Sequence, residues 1–148
     1  MSVANSVCGT VTASTTEITC TLNTAAAAGS WDVKVADTNG YTPKGTTVAQ
    51  VSVPLSVTSI SPNTGLNQLG GDTLTITGTG FDQIIDNTSV VFSDSTACQV
   101  LTTSATQITC FITGFDQSTL NTSSPYTVTI TVNSVVDATQ SVQLLTTK

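Results

Sequence analysis

The chain has 148 residues, 39% hydrophobic and only 8% charged, with three lysines, no arginine or histidine, and nine acids for a net charge of −6. That balance excludes a positive field for nucleic acid or acidic lipid, and the lack of histidine excludes Ser-His-Asp and Cys-His nucleophile pairs. No run approaches the ~20 consecutive apolar residues of a membrane-spanning helix, and the opening MSVANSV has neither the basic nor the apolar region of a secretion signal, so any export signal is expected outside this chain.

About a fifth of the residues are threonine, which suits pleated, half-solvated strands. Apolar residues alternate with Thr and Ser throughout, a pattern of strands rather than of disorder. The first such segment, CGTVTASTTEITCTL from Cys8 to Leu22, predicts two short strands around a polar turn, with a cysteine on each strand near the open end. The two sulfurs can meet across that ladder. Next, WDVKV predicts a strand with Trp31, Val33 and Val35 inward and Lys34 outward. Trp31 is therefore expected in the core rather than on a sugar-stacking surface, and Lys34 lacks the buried setting that a Lys-Asn isopeptide bond requires. The unit ends near Val51-Ser52-Val53, and Pro54 alone separates it from Leu55, which predicts a stiff connection.

Ser56 to Asp82 carries the strongest local signal, with Pro62, Asn63, Gly65, Gly70 and Gly71 bounding alternating strands. Leu74 and Ile76 should face inward, and Thr73, Thr75 and Thr77 outward. Gly78 and Gly80 let the chain bulge before Phe81 enters the core. With no following lysine or helix pattern, GTGF is not a phosphate-cradling loop. In the loop FDQIIDN, Asp82 and Asp86, with Asp94 further on, are the available acid–base carboxylates. They are read as solvated loop acids, and the loop lacks the dense oxygen ligands of a calcium site. No catalytic residue, cofactor or metal is assigned.

CQVLTTSATQITCFI, from Cys98 to Ile112, then repeats the first segment, its two cysteines displaced by 90 residues from Cys8 and Cys20. Such a period fits a string of sandwich domains better than a solenoid. Tyr126 to Ile130 alternates like the segment at Trp31. In the absence of histidine, a zinc site would need all four thiolates from two distant pairs. Cys8, Cys20, Cys98 and Cys110 are therefore read as disulfide-forming, which implies an oxidising compartment. The alternative is four buried free thiols. Closing a loop of this length stabilises a module by about 3 kcal/mol.

Pro62, Gly65, Gly70-Gly71, Gly78-Thr79-Gly80-Phe81 and the Cys98 and Cys110 pair together resemble the IPT/TIG family of immunoglobulin-like domains, over Leu55 to about Thr147. The resemblance implies an all-β, immunoglobulin-like β-sandwich of early-set type in tandem modules. These would be a partial module over residues 1–53, lacking its first strands, and a complete one over 55–148. Either the first is a cut fragment or another chain fills the gap. The family occurs in cell-surface receptors such as plexins, in extracellular repeat proteins, in accessory modules of starch-acting enzymes and in Rel-type transcription factors. The last bind DNA through basic loop residues that have no counterpart here.

The expectation is a non-enzymatic structural or adhesive segment of an extracellular or cell-surface repeat protein. Its partners would be neighbouring modules or copies of itself, with strand completion between chains building a filament. The alternatives are a receptor ectodomain segment binding a protein ligand, or an accessory carbohydrate-binding or spacer module of a secreted enzyme. Asn87-Thr88-Ser89 and Asn121-Thr122-Ser123 match the N-glycan acceptor pattern, which also arises by chance.

Overall fold

The structure is a computed structural model and describes residues 8–33, 49–118, 120 and 125–144. Residues 56–142 form seven antiparallel-paired strands. They are β5 (Ser56–Ser61), β6 (Thr73–Thr79), β7 (Thr88–Phe92), β8 (Ala97–Thr103), β9 (Gln107–Ile112), β10 (Tyr126–Val132) and β11 (Val135–Val142). Before them lie β1 (Cys8–Ala13), β2 (Ile18–Leu22), β3 (Gly29–Val33) and β4 (Ala49–Val53).

The hydrogen-bonded order of the large sheet is β11-β10-β7-β8-β9-β6-β5. Only two residue pairs join β7 to β8, Val90 with Cys98 and Val91 with Ala97. The sheet folds over at that short join, so β5, β6, β9 and β8 form one layer of a sandwich and β7, β10 and β11 the other. Alternation explains the packing: Leu74 and Ile76 are buried, and Thr73 and Thr77 are exposed, as their period of two requires. Ile108, Cys110 and Ile112 of β9 and Val128, Ile130 and Val132 of β10 are all fully buried. They meet Leu74, Ile76 and Phe92 in one core cluster.

The sandwich closes where β5 meets β11, and side chains hold that seam. Asp137 Oδ2 accepts a hydrogen bond from the Val57 N–H at 2.8 Å, and Gln140 Nε2 donates to the Val57 carbonyl at 3.2 Å. Gly78 and Gly80 shape the exit from β6. A Cβ on Gly78 would lie 2.3 Å from the Ser56 carbonyl oxygen, and Gly80 holds φ +83° with room for no side chain against the Pro54 carbonyl oxygen at 2.4 Å. The turn they make drives Phe81 into the core, fully buried.

Before the sandwich lie two separate two-stranded sheets, β1–β2 and β3–β4. Both expected disulfides form, Cys8–Cys20 and Cys98–Cys110, with Cα atoms 5.5 Å apart in each. Each links diagonal rather than facing positions, since Cys98 lies opposite Ile112 and Cys110 opposite Val100. Trp31 corrects one expectation. It is half-buried and lies outside the core cluster, where its indole N–H donates to the Ala27 carbonyl at 2.9 Å. Lys34 and Val35 fall outside the described residues.

Candidate functional site

The acids that the loop FDQIIDN offers do not behave as a solvated set. Because Phe81 is anchored in the core, Asp82 is carried in behind it and is only 3% exposed. Its carboxylate is fully engaged: Oδ1 accepts from the Ile84 N–H at 3.0 Å, and Oδ2 accepts from the amides of Asn87 at 2.8 Å and Asn133 at 3.1 Å. The Asp82 carbonyl accepts from the Thr103 hydroxyl at 2.6 Å. Burial pushes this carboxyl up, but the hydrogen bonds from Asn87, Ile84, Asn133 and Gln83 outweigh it and hold it below the ordinary aspartate value. A carboxylate so satisfied is a fixed structural anion rather than a proton shuttle. Asp86 is exposed on a short 3-10 turn at Ile85–Asn87, and Asp94 accepts from the N–H and hydroxyl of Thr96 in a tight turn.

What Asp82 organises is a contact between the loop before β3 and the turn between β10 and β11. Asn133 sits in the two-residue turn between β10 and β11 at φ +48°. Its amide serves Asp82 and also donates to the Ala28 carbonyl at 3.2 Å. The Ala28 N–H in turn donates to the Gly80 carbonyl at 2.7 Å. Ala26, Ala27 and Ala28 are buried here, and Ala28 belongs to the core cluster of the second copy. Neither the alanine run nor Asn133 was singled out in the sequence. Asn133-Ser134 between alternating strands is a hairpin-turn signal, but nothing local says that its side chain reaches Ala28, 105 residues back.

A second feature is an open apolar face. Ile18 and Leu22 of β2 are 51% and 52% exposed, whereas Ile108 and Ile112, their counterparts 90 residues on, are completely buried. Val11 at 55% is not part of that contrast, since its counterpart Leu101 is 46% exposed as well.

Asn87 is exposed, but its side-chain amide is the group bonded to Asp82, and the next residue, Thr88, is buried in β7. Asn121 lies outside the described residues. Phe81, Phe92, Phe115 and Tyr126 are all buried, the last three in a stack with ring centroids 5.0 and 5.3 Å apart. Among the described residues, aromatic side chains are thus used mainly inside the sandwich, and Trp31 and Phe111 are half-buried.

A family model described as IPT/TIG domain matches residues 55–147. Among solved structures, the full extracellular region of plexin A4 is similar to this chain with a TM-score of 0.53 and 23% identity, over 68% of this chain and 8% of that one. A structural-genomics protein of unknown function from Bacteroides thetaiotaomicron is similar with a TM-score of 0.50 and 14% identity, over 62% of this chain and 22% of that one. At these identities the likeness concerns the fold, and the chain spans a small part of either protein. No curated protein sequence matches the chain.

Proposed function

The chain belongs to the IPT/TIG domain family, and from that premise we propose that it is a non-catalytic structural segment of an extracellular or cell-surface protein built from such modules in series. The observation that carries this reading is repetition with cross-linking. The same disulfide-closed hairpin occurs twice, 90 residues apart, and Pro54 and Leu55 are the only residues between β4 and β5. A disulfide in each copy suits an oxidising compartment, and a two-residue connection suits a spacer that fixes the distance between its ends. Four of the six described aromatics are buried, which leaves only the half-buried Trp31 and Phe111 for a carbohydrate-binding role. Antibody labelling of intact, unpermeabilised cells of the source organism tests the location. Labelling without permeabilisation is expected, and labelling only after permeabilisation would refute the reading.

The open face of β2 favours a second, adhesive reading, in which strands of another copy of this chain cover it. Light scattering of the 148-residue chain tests this: concentration-dependent oligomers support assembly between chains, and a monomer at every concentration would refute it. An N-glycan at Asn87 or Asn121 is compatible with either reading, and intact mass before and after glycosidase treatment tests it.

A further inference from the structure

Four alanines in a row, Ala25 to Ala28, are an unusual choice for a loop between strands, because exposed loops draw on polar and turn-forming residues. Here the last three are buried, at 5%, 1% and 0% exposure. What buries Ala28 is the end of the second copy. Its N–H and carbonyl are both taken, by the Gly80 carbonyl and the Asn133 amide, so this loop pairs its backbone with another module instead of with water. The space is cut to a methyl group. A Cβ added to Gly80 would come within 3.3 Å of the Ala28 Cβ and 2.4 Å of the Pro54 carbonyl oxygen.

We propose that Pro54, Gly80, Asp82 and Asn133 form a docking socket for the small-residue turn of a neighbouring IPT/TIG module. Its occupant here is Ala28 of the first copy, at the end of the buried alanine run, so the two copies hold one orientation. Asp82 is the positioning residue of the socket. It fixes the Asn133 amide that reaches the Ala28 carbonyl, while Asn133 N–H donates to the Asn87 carbonyl at 3.1 Å and ties the same turn to the same loop. The specificity is for size and for backbone: a methyl, one N–H and one carbonyl. Two hydrogen bonds and a methyl are a weak site for a free partner, but a two-residue tether makes the encounter intramolecular and raises its effective concentration. This deepens the spacer reading and rests on it, because a spacer transmits distance only if its joints do not bend.

The test is NMR on the intact 148-residue chain. Residual dipolar couplings from β1–β4 and from β5–β11 should fit one alignment tensor, and the Ala28 amide should be protected from exchange. In Asn133→Gly, which keeps the left-handed backbone and removes both side-chain bonds, exchange at Ala28 should rise about fivefold, the effect of one net hydrogen bond, with Ile76 and Ile130 unchanged. Two independent tensors in the unmodified chain would overturn the docking. An equal rise at Ala28, Ile76 and Ile130 would make Asn133 a general stability residue and overturn its role in the socket. Surface labelling is unaffected by either result, so a bending joint and a wrong location are told apart.

Discussion

The β1–β2 and β8–β9 hairpins are nearly the same object in two settings. Each has a disulfide with Cα atoms 5.5 Å apart and a threonine pair bonded across the strands, Thr12 with Thr19 and Thr102 with Thr109. Each also has a serine closing the turn by accepting from the N–H three residues on, Ser14 from Glu17 and Ser104 from Gln107, at 3.0 Å in both. Yet β9 buries every second side chain and β2 buries none. Local sequence therefore determines the hairpin, and the second layer of the sandwich determines whether it is a stable element or an open surface. A hairpin alone is marginal in water, and it needs a covered face.

Replacing the paired isoleucines gives the largest contrast. Ile108→Ala should cost about 2–5 kcal/mol in urea unfolding, the range for a buried large-to-small change. Ile18→Ala should stay within about 0.5 kcal/mol, as for other surface changes. Next come the disulfides. Cys98→Ala with Cys110→Ala should lower the stability of the second copy by about 3 kcal/mol, whereas Cys8→Ala with Cys20→Ala should leave its unfolding midpoint unchanged. In native protein under mild reductant, mass spectrometry should find Cys20 alkylated before Cys110, since Cys20 is exposed and Cys110 is not.

The seam between β5 and β11 adds a pH dependence that belongs to the second copy alone. Burial pushes the Asp137 carboxyl up, but bonds from the Thr139 hydroxyl and the Val57 and Thr139 N–H groups outweigh it and hold the group below its ordinary value of 3.8. A folded pKa below the unfolded one contributes stability above the unfolded value and loses it as pH falls through the folded one. Thermal unfolding of the second copy should therefore weaken below about pH 4. Asp137→Asn should lose about 1.5–3 kcal/mol at pH 7, the range for hydrogen bonds to a charged group, and show a flatter acid limb. The smallest effect is at the threonine pairs, where Thr102→Val or Thr12→Val should cost about 0.2–1 kcal/mol.

Much of this was legible in the sequence because it is local. The alternation at Thr73–Thr77, the glycines before Phe81 and the repeated cysteine hairpin each state their structure within a few residues. The misreadings concern residues whose role is set by distant chain. Asp82 reads as a solvated loop acid until Phe81 is known to pull it inward, 51 residues away from the Asn133 that completes its bonding. Asp137 was not singled out in the sequence: it lies opposite Ile130 just before the register shift that separates it from Gln140 on β11, and its partner is Val57, 80 residues back. Ala26–Ala28 carry no chemistry of their own, so no pattern marks them as an interface. Trp31 was expected in a core because its strand alternates, and alternation reveals which way a side chain points but not whether anything lies there.

Hydrogen exchange read by mass spectrometry, on dilute protein with both disulfides intact, tests most directly the claim that two copies of one hairpin differ only in what covers them. The account predicts strong protection for peptides covering β6, β9 and β10 and weak protection for β1–β2, since hydrogen bonds in an uncovered hairpin open locally. Equal protection of β1–β2 and β8–β9 would contradict it.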